Sequence, residues 1–447
     1  MTNEKYGLIG KTLVHSYSKE IHEALGRYQY QLFSLAEDEM PDFINARDFR
    51  GLNVTIPYKK DVIPLCDEVT DLARGIGAVN TLFWKNASGT GASESISQED
   101  KILVGHNTDY EGFLYAASRA GIDFEGKGVL ILGTGGTSLM ARRAAADQNA
   151  AKIYIASRHP ETDPPSGSEI QDAGILSTVS YDQLPEIADS IDVIVNTTPV
   201  GTFPNNMQQV IRLKDFPGCQ AVIDVIYNPF KTALLLEAEK LGLKYTNGLP
   251  MLVAQATAAA GYFLGTPGAF QKENQRIIKS MKQQMGNIVL IGMPGTGKSL
   301  IGKLLAELTG KTLQDTDAKI EEEAKMTIPE IFGKEGEAGF RDREAAICKK
   351  LGKERNLIIA TGGGAILRPE NVDALRQNGT LVHITRSIDK LPTRGRPLSK
   401  NIETLKKMEA QRMPLYKSAA DITFRNNYTC SRKKLRQRVT TYILEKL

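Results

Sequence analysis

Short apolar runs alternate with helical stripes along most of the chain. Residues 6–10, 29–35 and 52–56 are apolar runs of strand length, and the stretches near 19–28 and 37–47 between them have helical spacing. Residues 78–84 and 101–105 predict two further strands. The stretch 86–100 between them, rich in Ser, Gly, Asn and Glu, predicts a solvated loop. From residue 128 the pattern becomes more regular. Buried-type strands are predicted at 128–133, 152–157, 191–196 and 221–226, an Ala-rich helix follows the first, and helices are predicted at 231–241 and 250–263. Residues 266–286 break this rhythm. Thr266-Pro267-Gly268 is followed by a stretch dominated by Lys, Gln, Glu and Asn, which predicts a polar interdomain linker, part of it compatible with helix. A last block opens with a strand at 287–292. Leu300, Ile301, Leu304, Leu305 and Leu308 then recur at helical spacing up to Gly310. Strand-like 311–314 and 358–361 follow, and a basic helical tail closes the chain. Strand–helix alternation throughout makes the fold class α/β, with several domains.

Length and composition fit that picture. A chain of 447 residues predicts two to four domains, and 41% hydrophobic with 24% charged residues is ordinary for a globular protein. A net charge of +4 suits anionic small molecules, and no aromatic-interleaved basic stripe points to nucleic acid. Cys66, Cys219, Cys348 and Cys430 lie far apart without a C-x-x-C, which predicts reduced thiols rather than disulfides or zinc. No apolar run approaches 18 residues and the N-terminus has no signal pattern, so no membrane partner and a cytoplasmic location are expected.

The chemistry sits at strand ends. Gly292-Met-Pro-Gly295-Thr296-Gly297-Lys298-Ser299 fits G-x-x-x-x-G-K-[ST], a loop whose backbone N–H groups and helix dipole surround phosphates. In that reading Lys298 reaches the outer phosphates and Ser299 holds Mg²⁺. Asp315 and Asp317, two apart at a strand end, fit one carboxylate on the metal and one on an acceptor hydroxyl. Arg341, Arg394, Arg396 and Arg412, with three glycines at 362–364, suggest a small anionic acceptor. Earlier, Gly133-Thr-Gly135-Gly136-Thr137-Ser138 departs from G-x-G-x-x-G only at the third glycine, and it joins a strand to a helix as a pyrophosphate turn does. The next strand ends in Ser157-Arg158. An Arg there offers a fork for a 2′-phosphate and favours NADP over NAD. Ser16 and Ser18 could hold one carboxylate. Thr55, Lys59, Asn80 and Asp109 lie at or near strand ends, where a Lys–Asp pair could move a proton while a cofactor moves a hydride. Singly, Ser18 reads equally as a helix cap, Lys59 as a surface lysine and Asp109 as a turn residue.

In combination these residues resemble two families. Ser16-Tyr-Ser18, Asn53-Val-Thr-Ile-Pro-Tyr-Lys59, Gly77-Ala-Val-Asn80-Thr, Asn107-Thr-Asp109, the glycine turn, Asn196-Thr-Thr-Pro-Val-Gly201 and Gly248-Leu-Pro-Met-Leu-Val-Ala-Gln255 are similar, in order, to shikimate dehydrogenase over about residues 5–265. The resemblance implies reduction of 3-dehydroshikimate to shikimate with NADPH. It implies Lys59 and Asp109 as catalytic pair, and Ser16, Ser18, Thr55, Asn80 and Gln255 on the substrate. Gly133, Gly135, Gly136, Thr137, Ser157, Arg158 and Gly248 would lie on the cofactor. Two features depart from the family: Ala156-Ser157-Arg158 replaces its Asn-Arg-Thr, and the 86–100 loop is longer. The last block resembles shikimate kinase over about 286–425 through Asp-x-Asp, Phe340-Arg-x-x-Glu344, the three glycines, Arg396-Pro-Leu and Arg412-Met-Pro-Leu-Tyr416. That implies ATP on Gly295, Thr296, Gly297, Lys298, Ser299, Leu300 and Arg396, and Mg²⁺ on Ser299 and Asp315. Shikimate would lie on Asp317, Arg341, Gly363 and Arg412, with Asp317 as base. The lid from Asp389 to Arg396 is shorter than usual. The implied organisation is a substrate-binding domain at 1–106, with 246–265 packing back on it, a Rossmann NADP domain at 107–265, a linker at 266–285 and a P-loop kinase at 286–447. The expected partners are small molecules, with a monomer and a homodimer both open. The expectation is a bifunctional shikimate-pathway enzyme. The alternatives are a quinate-oxidising dehydrogenase and a kinase half that only binds ligand and regulates.

Overall fold

A computed structural model of the chain describes residues 5–13, 16–86, 101–161, 174–391, 402–427 and 431–447. It divides into two compact units. One is Met1–Thr202 with Gln208–Lys279, and the other is Phe203–Met207 with Ser280–Leu447.

Among the described residues the first unit contains two sheets. Strands β1 (Tyr6–Gly10), β2 (Tyr30–Ser34), β3 (Gly51–Val54), β4 (Glu68–Val69), β5 (Thr81–Asn86) and β6 (Lys101–His106) form a mixed sheet in the order β2-β1-β3-β5-β6-β4. β1 runs parallel to β2 and β3, while β5 is antiparallel to β3 and β6. The strand expected at 78–84 begins at Thr81. The residues before it still join the ladder, since Val54 N donates to Asn80 O at 2.8 Å and Asn80 N to His106 O at 3.0 Å. Asn80 is thereby locked to both neighbouring strands.

The second sheet comprises β7 (Gly128–Leu132), β8 (Lys152–Ser157), β9 (Leu176–Ser180), β10 (Val193–Asn196), β11 (Ala221–Asp224) and β12 (Lys244–Thr246). All are parallel, in the order β12-β11-β10-β7-β8-β9. Its central strands are continuous apolar runs because helices cover both faces. The order reverses beside β7, and the turn from β7 into the Gly136–Asp147 helix lies at that switch point.

Among the described residues the second unit holds one parallel sheet. Strands β13 (Asn287–Ile291), β14 (Thr312–Asp315), β15 (Leu357–Ala360), β16 (Gly379–Thr385) and β17 (Ile422–Arg425) lie in the order β14-β15-β13-β16-β17. The central strand β13 feeds the glycine loop, which feeds the Lys298–Thr309 helix. That helix ends at Gly310, whose φ of 73° provides the left-handed stop.

The stretch read as a polar linker is structured. Asn274–Met285 is an α-helix whose Ile277, Ile278, Met281 and Met285 are buried. Those four recur at i, i+1, i+4 and i+8, a single helical face that the surrounding Lys, Gln and Asn residues masked. Its start is tied by a buried hydrogen bond from Thr257 Oγ1 to Asn274 Oδ1 at 2.6 Å. Its last turn is capped by Lys311, whose Nζ donates to Gln284 O and Gly286 O at 2.8 and 2.9 Å.

Candidate active sites

The first unit encloses a cavity of about 400 Å³. Ser16, Ser18, Thr55, Lys59, Asn80, Asp109, Thr137, Gly248 and Gln255 all line it. The chain brings these residues together from segments up to 239 positions apart (Ser16 to Gln255). Lys59 and Asp109 form an ion pair of 2.6 Å, with side chains 24% and 17% exposed. The pair is therefore screened from most solvent but open to the cavity. Asp109 stands at the first position of the Asp109–Arg119 helix, where the dipole favours its negative charge.

Asn80 is oriented by its own acceptor. Its Oδ1 receives Thr108 N at 2.7 Å and Thr81 Oγ1 at 2.9 Å, which fixes the amide plane. Ser18 does not cap a helix. Tyr17 holds the cap position of Ser18–Glu23 and no side chain accepts there. Ser18 N instead donates to Ser16 Oγ at 3.3 Å, which draws the two serines together. At Gly248 a Cβ would lie 1.9 Å from Val225 O, so only glycine lets this helix start approach the loop after β11.

The glycine turn is arranged for a dinucleotide. Gly133 has φ +101°, and a Cβ at Gly135 or Gly136 would meet nothing, leaving open space over the helix N-terminus. Ser157 uses its hydroxyl locally, accepting from His159 N at 2.9 Å. Arg158 follows β8 near Tyr181. Burial pushes the Tyr181 phenol up, and Arg158 offsets part of that rise.

The end of β11 holds a buried carboxylate. Asp224 is fully buried and accepts from Thr232 Oγ1 at 2.6 Å, Asn196 Nδ2 at 3.1 Å and Ile226 N at 3.1 Å. Burial raises it to about 6 against those three hydrogen bonds. Asn196 Oδ1 in turn receives Thr198 N and Oγ1. Sequence reasoning missed Asp224, because nothing local marks a strand-end Asp as a hub. It also assigned no role to Tyr17, Asn53, Tyr227 or Met251, which line the cavity.

The second unit has a cavity of about 590 Å³. It is lined by Gly295, Gly297, Lys298, Ser299, Leu300, Asp315, Asp317, Arg341, Gly363 and Arg412, together with Glu344 and Phe332. Thr296 is not on the wall; it is buried and its hydroxyl donates to Met293 O at 2.9 Å, bracing the loop from inside. Lys298 Nζ lies 2.8 and 3.1 Å from the carbonyls of Gly292 and Met293. Ser299 Oγ donates to Asp315 Oδ2 at 3.1 Å, placing a hydroxyl and a carboxylate side by side beside the loop. That donor set suits a hard cation that takes its remaining ligands from phosphate and water. Arg396 lies outside the described residues.

Three glycines after β15 allow the acceptor side to close up. A Cβ on Gly362 would meet Asp317 Oδ1 at 2.7 Å and Glu344 Oε1 at 2.8 Å, and one on Gly364 would meet Arg341 Nη1 at 2.1 Å. Gly363 O accepts from Arg412 Nη1 at 2.9 Å and Tyr416 Oη at 2.5 Å. Arg341 Nη1 donates to the fully buried Glu344 at 2.7 Å. Burial, then Asp315 and Glu344, raise Asp317 to about 6. Its Oδ1 is buried without a hydrogen-bond partner.

Geometry therefore defines a nucleotide-using enzyme in two parts. One part is a cleft enzyme beside a doubly wound dinucleotide sheet, and the other is a P-loop kinase fold. Comparison with known proteins narrows both. The family model described as "Shikimate dehydrogenase substrate binding domain" matches residues 8–82, and that described as "Shikimate kinase" matches residues 294–447. The NADP⁺ shikimate dehydrogenase of Caldicellulosiruptor bescii is 35% identical over 268 residues, which cover 57% of this chain and 88% of that protein. Among solved structures, a chorismate mutase/shikimate 5-dehydrogenase fusion from Clostridium acetobutylicum superposes with a TM-score of 0.54 at 32% identity, covering 63% of this chain and 98% of that one. The Thermus thermophilus shikimate 5-dehydrogenase in complex with NADP(H) and shikimate gives 0.51 at 28% identity, covering 62% and 99%. The chain belongs to the shikimate dehydrogenase family over its first part and carries a shikimate kinase domain after it. Among the described residues no helix is long and apolar enough to cross a membrane.

Proposed function

We propose that the chain catalyses two consecutive steps, reduction of 3-dehydroshikimate to shikimate and phosphorylation of shikimate to shikimate 3-phosphate. The observation that carries this reading is the convergence of each family's residues on its own cavity. In domain terms, residues 1–106 bind the hydroxy acid, with 246–265 packed back on them. Residues 107–265 bind NADP, and 286–447 form the kinase. When bound, NADPH supplies the hydride, ATP the γ-phosphoryl group and Mg²⁺ the charge that steadies it.

In the first cavity Ser16 and Ser18 hold the substrate carboxylate, while Thr55, Asn80 and Gln255 hold ring hydroxyls. Lys59, paired with Asp109 at 2.6 Å, donates a proton to the carbonyl oxygen as that carbon is reduced. Gly133, Gly135, Gly136 and Thr137 present N–H groups to the pyrophosphate, and Arg158 faces the 2′-phosphate. In the second cavity Gly295, Gly297, Lys298 and Ser299 cradle the phosphates, and Ser299 with Asp315 holds the cation. Arg341 and Arg412 fix the shikimate carboxylate, and Gly363 packs beside it. Asp317 accepts the proton of the 3-hydroxyl, a role suited to a carboxylate raised to about 6.

The test is one reaction containing 3-dehydroshikimate, NADPH, ATP and Mg²⁺, followed by mass spectrometry. Shikimate 3-phosphate is the expected product. Accumulation of shikimate without it sinks the kinase assignment. Faster turnover of quinate with NAD⁺ than of shikimate with NADP⁺ sinks the dehydrogenase assignment.

A further inference from the structure

Tyr17 stands between the two serines in the sequence, and both Tyr17 and Tyr227 line the first cavity. Their rings meet edge-on, with centroids 6.0 Å apart and planes at 82°. This is the T-shaped arrangement in which a positive ring edge faces a negative ring face.

Each ring stands on a separately fixed base. On the first-sheet side, Ser16 N donates to Leu13 O and Ile21 N to Tyr17 O, both at 3.1 Å, so Tyr17 is held between a turn and a helix start. On the second-sheet side, Tyr227 lies in the loop after β11. Asp224 pins that loop through Asn196, Ile226 and Thr232, and Gly248 N adds a bond to Ile226 O at 2.9 Å. Each ring thus extends from a backbone segment held by its own hydrogen bonds.

We infer that Tyr17 and Tyr227 latch the two sheets together over the bound hydroxy acid, and that Tyr17 sets how bulky a ring acid the closed cavity accepts. This rests on the dehydrogenase reading above. An edge-on aromatic contact shifts a closing equilibrium by about two- to tenfold, and that shift enters the apparent affinity of any ligand bound only by the closed form.

The test compares Tyr17→Phe and Tyr17→Leu in the full chain, with thermal midpoints recorded for both. Tyr17→Phe keeps the ring edge and should lose less affinity for 3-dehydroshikimate than Tyr17→Leu. Tyr17→Leu should raise KM for 3-dehydroshikimate by about three- to tenfold while changing kcat less. It should also move the kcat/KM ratio toward quinate, a saturated ring acid with one more hydroxyl, over shikimate. The KM losses of Tyr17→Leu and Tyr227→Leu should combine non-additively, because either one breaks the same contact. An active parent whose Tyr17→Leu variant keeps the parental KM and acid preference overturns the latch and leaves the dehydrogenase standing. So does a Tyr17→Phe variant as impaired as Tyr17→Leu, which would assign the effect to the hydroxyl. A parent that reduces no 3-dehydroshikimate overturns the dehydrogenase reading and the latch with it.

Discussion

Replacing Asp317 with Asn should silence the kinase site and stabilise the unit that carries it. Asp317 sits beside Asp315 and Glu344 with one carboxylate oxygen buried and unpartnered. Raising its pKa from an ordinary 3.8 to about 6 means that the charged form costs the folded state about 3 kcal/mol at neutral pH. Against this, a carboxylate in the first turn of the Thr316–Ala324 helix contributes about 0.3–1 kcal/mol through the dipole, which Asn forfeits. The net gain expected for Asp317→Asn is about 2 kcal/mol. The pH dependence follows from the raised pKa. Between pH 4 and pH 6 the folded protein binds this proton and the unfolded chain does not, so wild-type stability falls as pH rises through that window. The variant lacks this loss, so the two should coincide near pH 4 and separate fully above pH 6. The chain's single tryptophan, Trp84, belongs to the first unit and does not report on this one. Hydrogen exchange of peptides covering β13 and β15 does, read at several urea concentrations and pH values. An Asp317→Asn protein less stable than wild type at pH 7, or an offset that does not change with pH, would refute the reasoning.

Lys59→Ala should lower 3-dehydroshikimate reduction by about 10²–10⁴-fold and leave phosphorylation intact, and Lys298→Ala should do the reverse, each read by coupled assay. Gly364→Ala would place a methyl 2.1 Å from Arg341 Nη1. The guanidinium must move, so KM for shikimate should rise about 10- to 100-fold while KM for ATP changes little. Asp224→Ala orphans Asn196, Ile226 and Thr232 and should cost about 2–4 kcal/mol by urea denaturation followed through Trp84. Asp224→Asn can accept from Asn196 and Ile226 with its oxygen and donate to Thr232 with its amide. It should therefore be no less stable than the parent at pH 7, where the buried carboxylate raised to about 6 is charged. Acidification below about pH 6 should slow the kinase as Asp317 takes up its proton.

The glycine turns of both cavities were legible in the sequence because they are tied to local backbone requirements. A glycine loop between an apolar strand and a helix is written in consecutive residues. Lys59, Asp109 and Asn80 pointed to chemistry only in combination, and Gln255 came only from the family resemblance. The helix Asn274–Met285 was harder to read because four apolar residues among polar ones make a face only once the chain is coiled.

The sequence by itself determined the α/β class and the glycine turns, since tight turns at strand ends select glycine directly. Tertiary structure decided which distant residues meet. It brought Lys59 to 2.6 Å from Asp109, aimed Asp317 and Glu344 at one glycine, made Asp224 the pin of two loops, and set Tyr17 edge-on to Tyr227. The reason is sheet order. Which strand ends become neighbours depends on pairing across the whole domain, and a run of residues read in isolation carries no record of it.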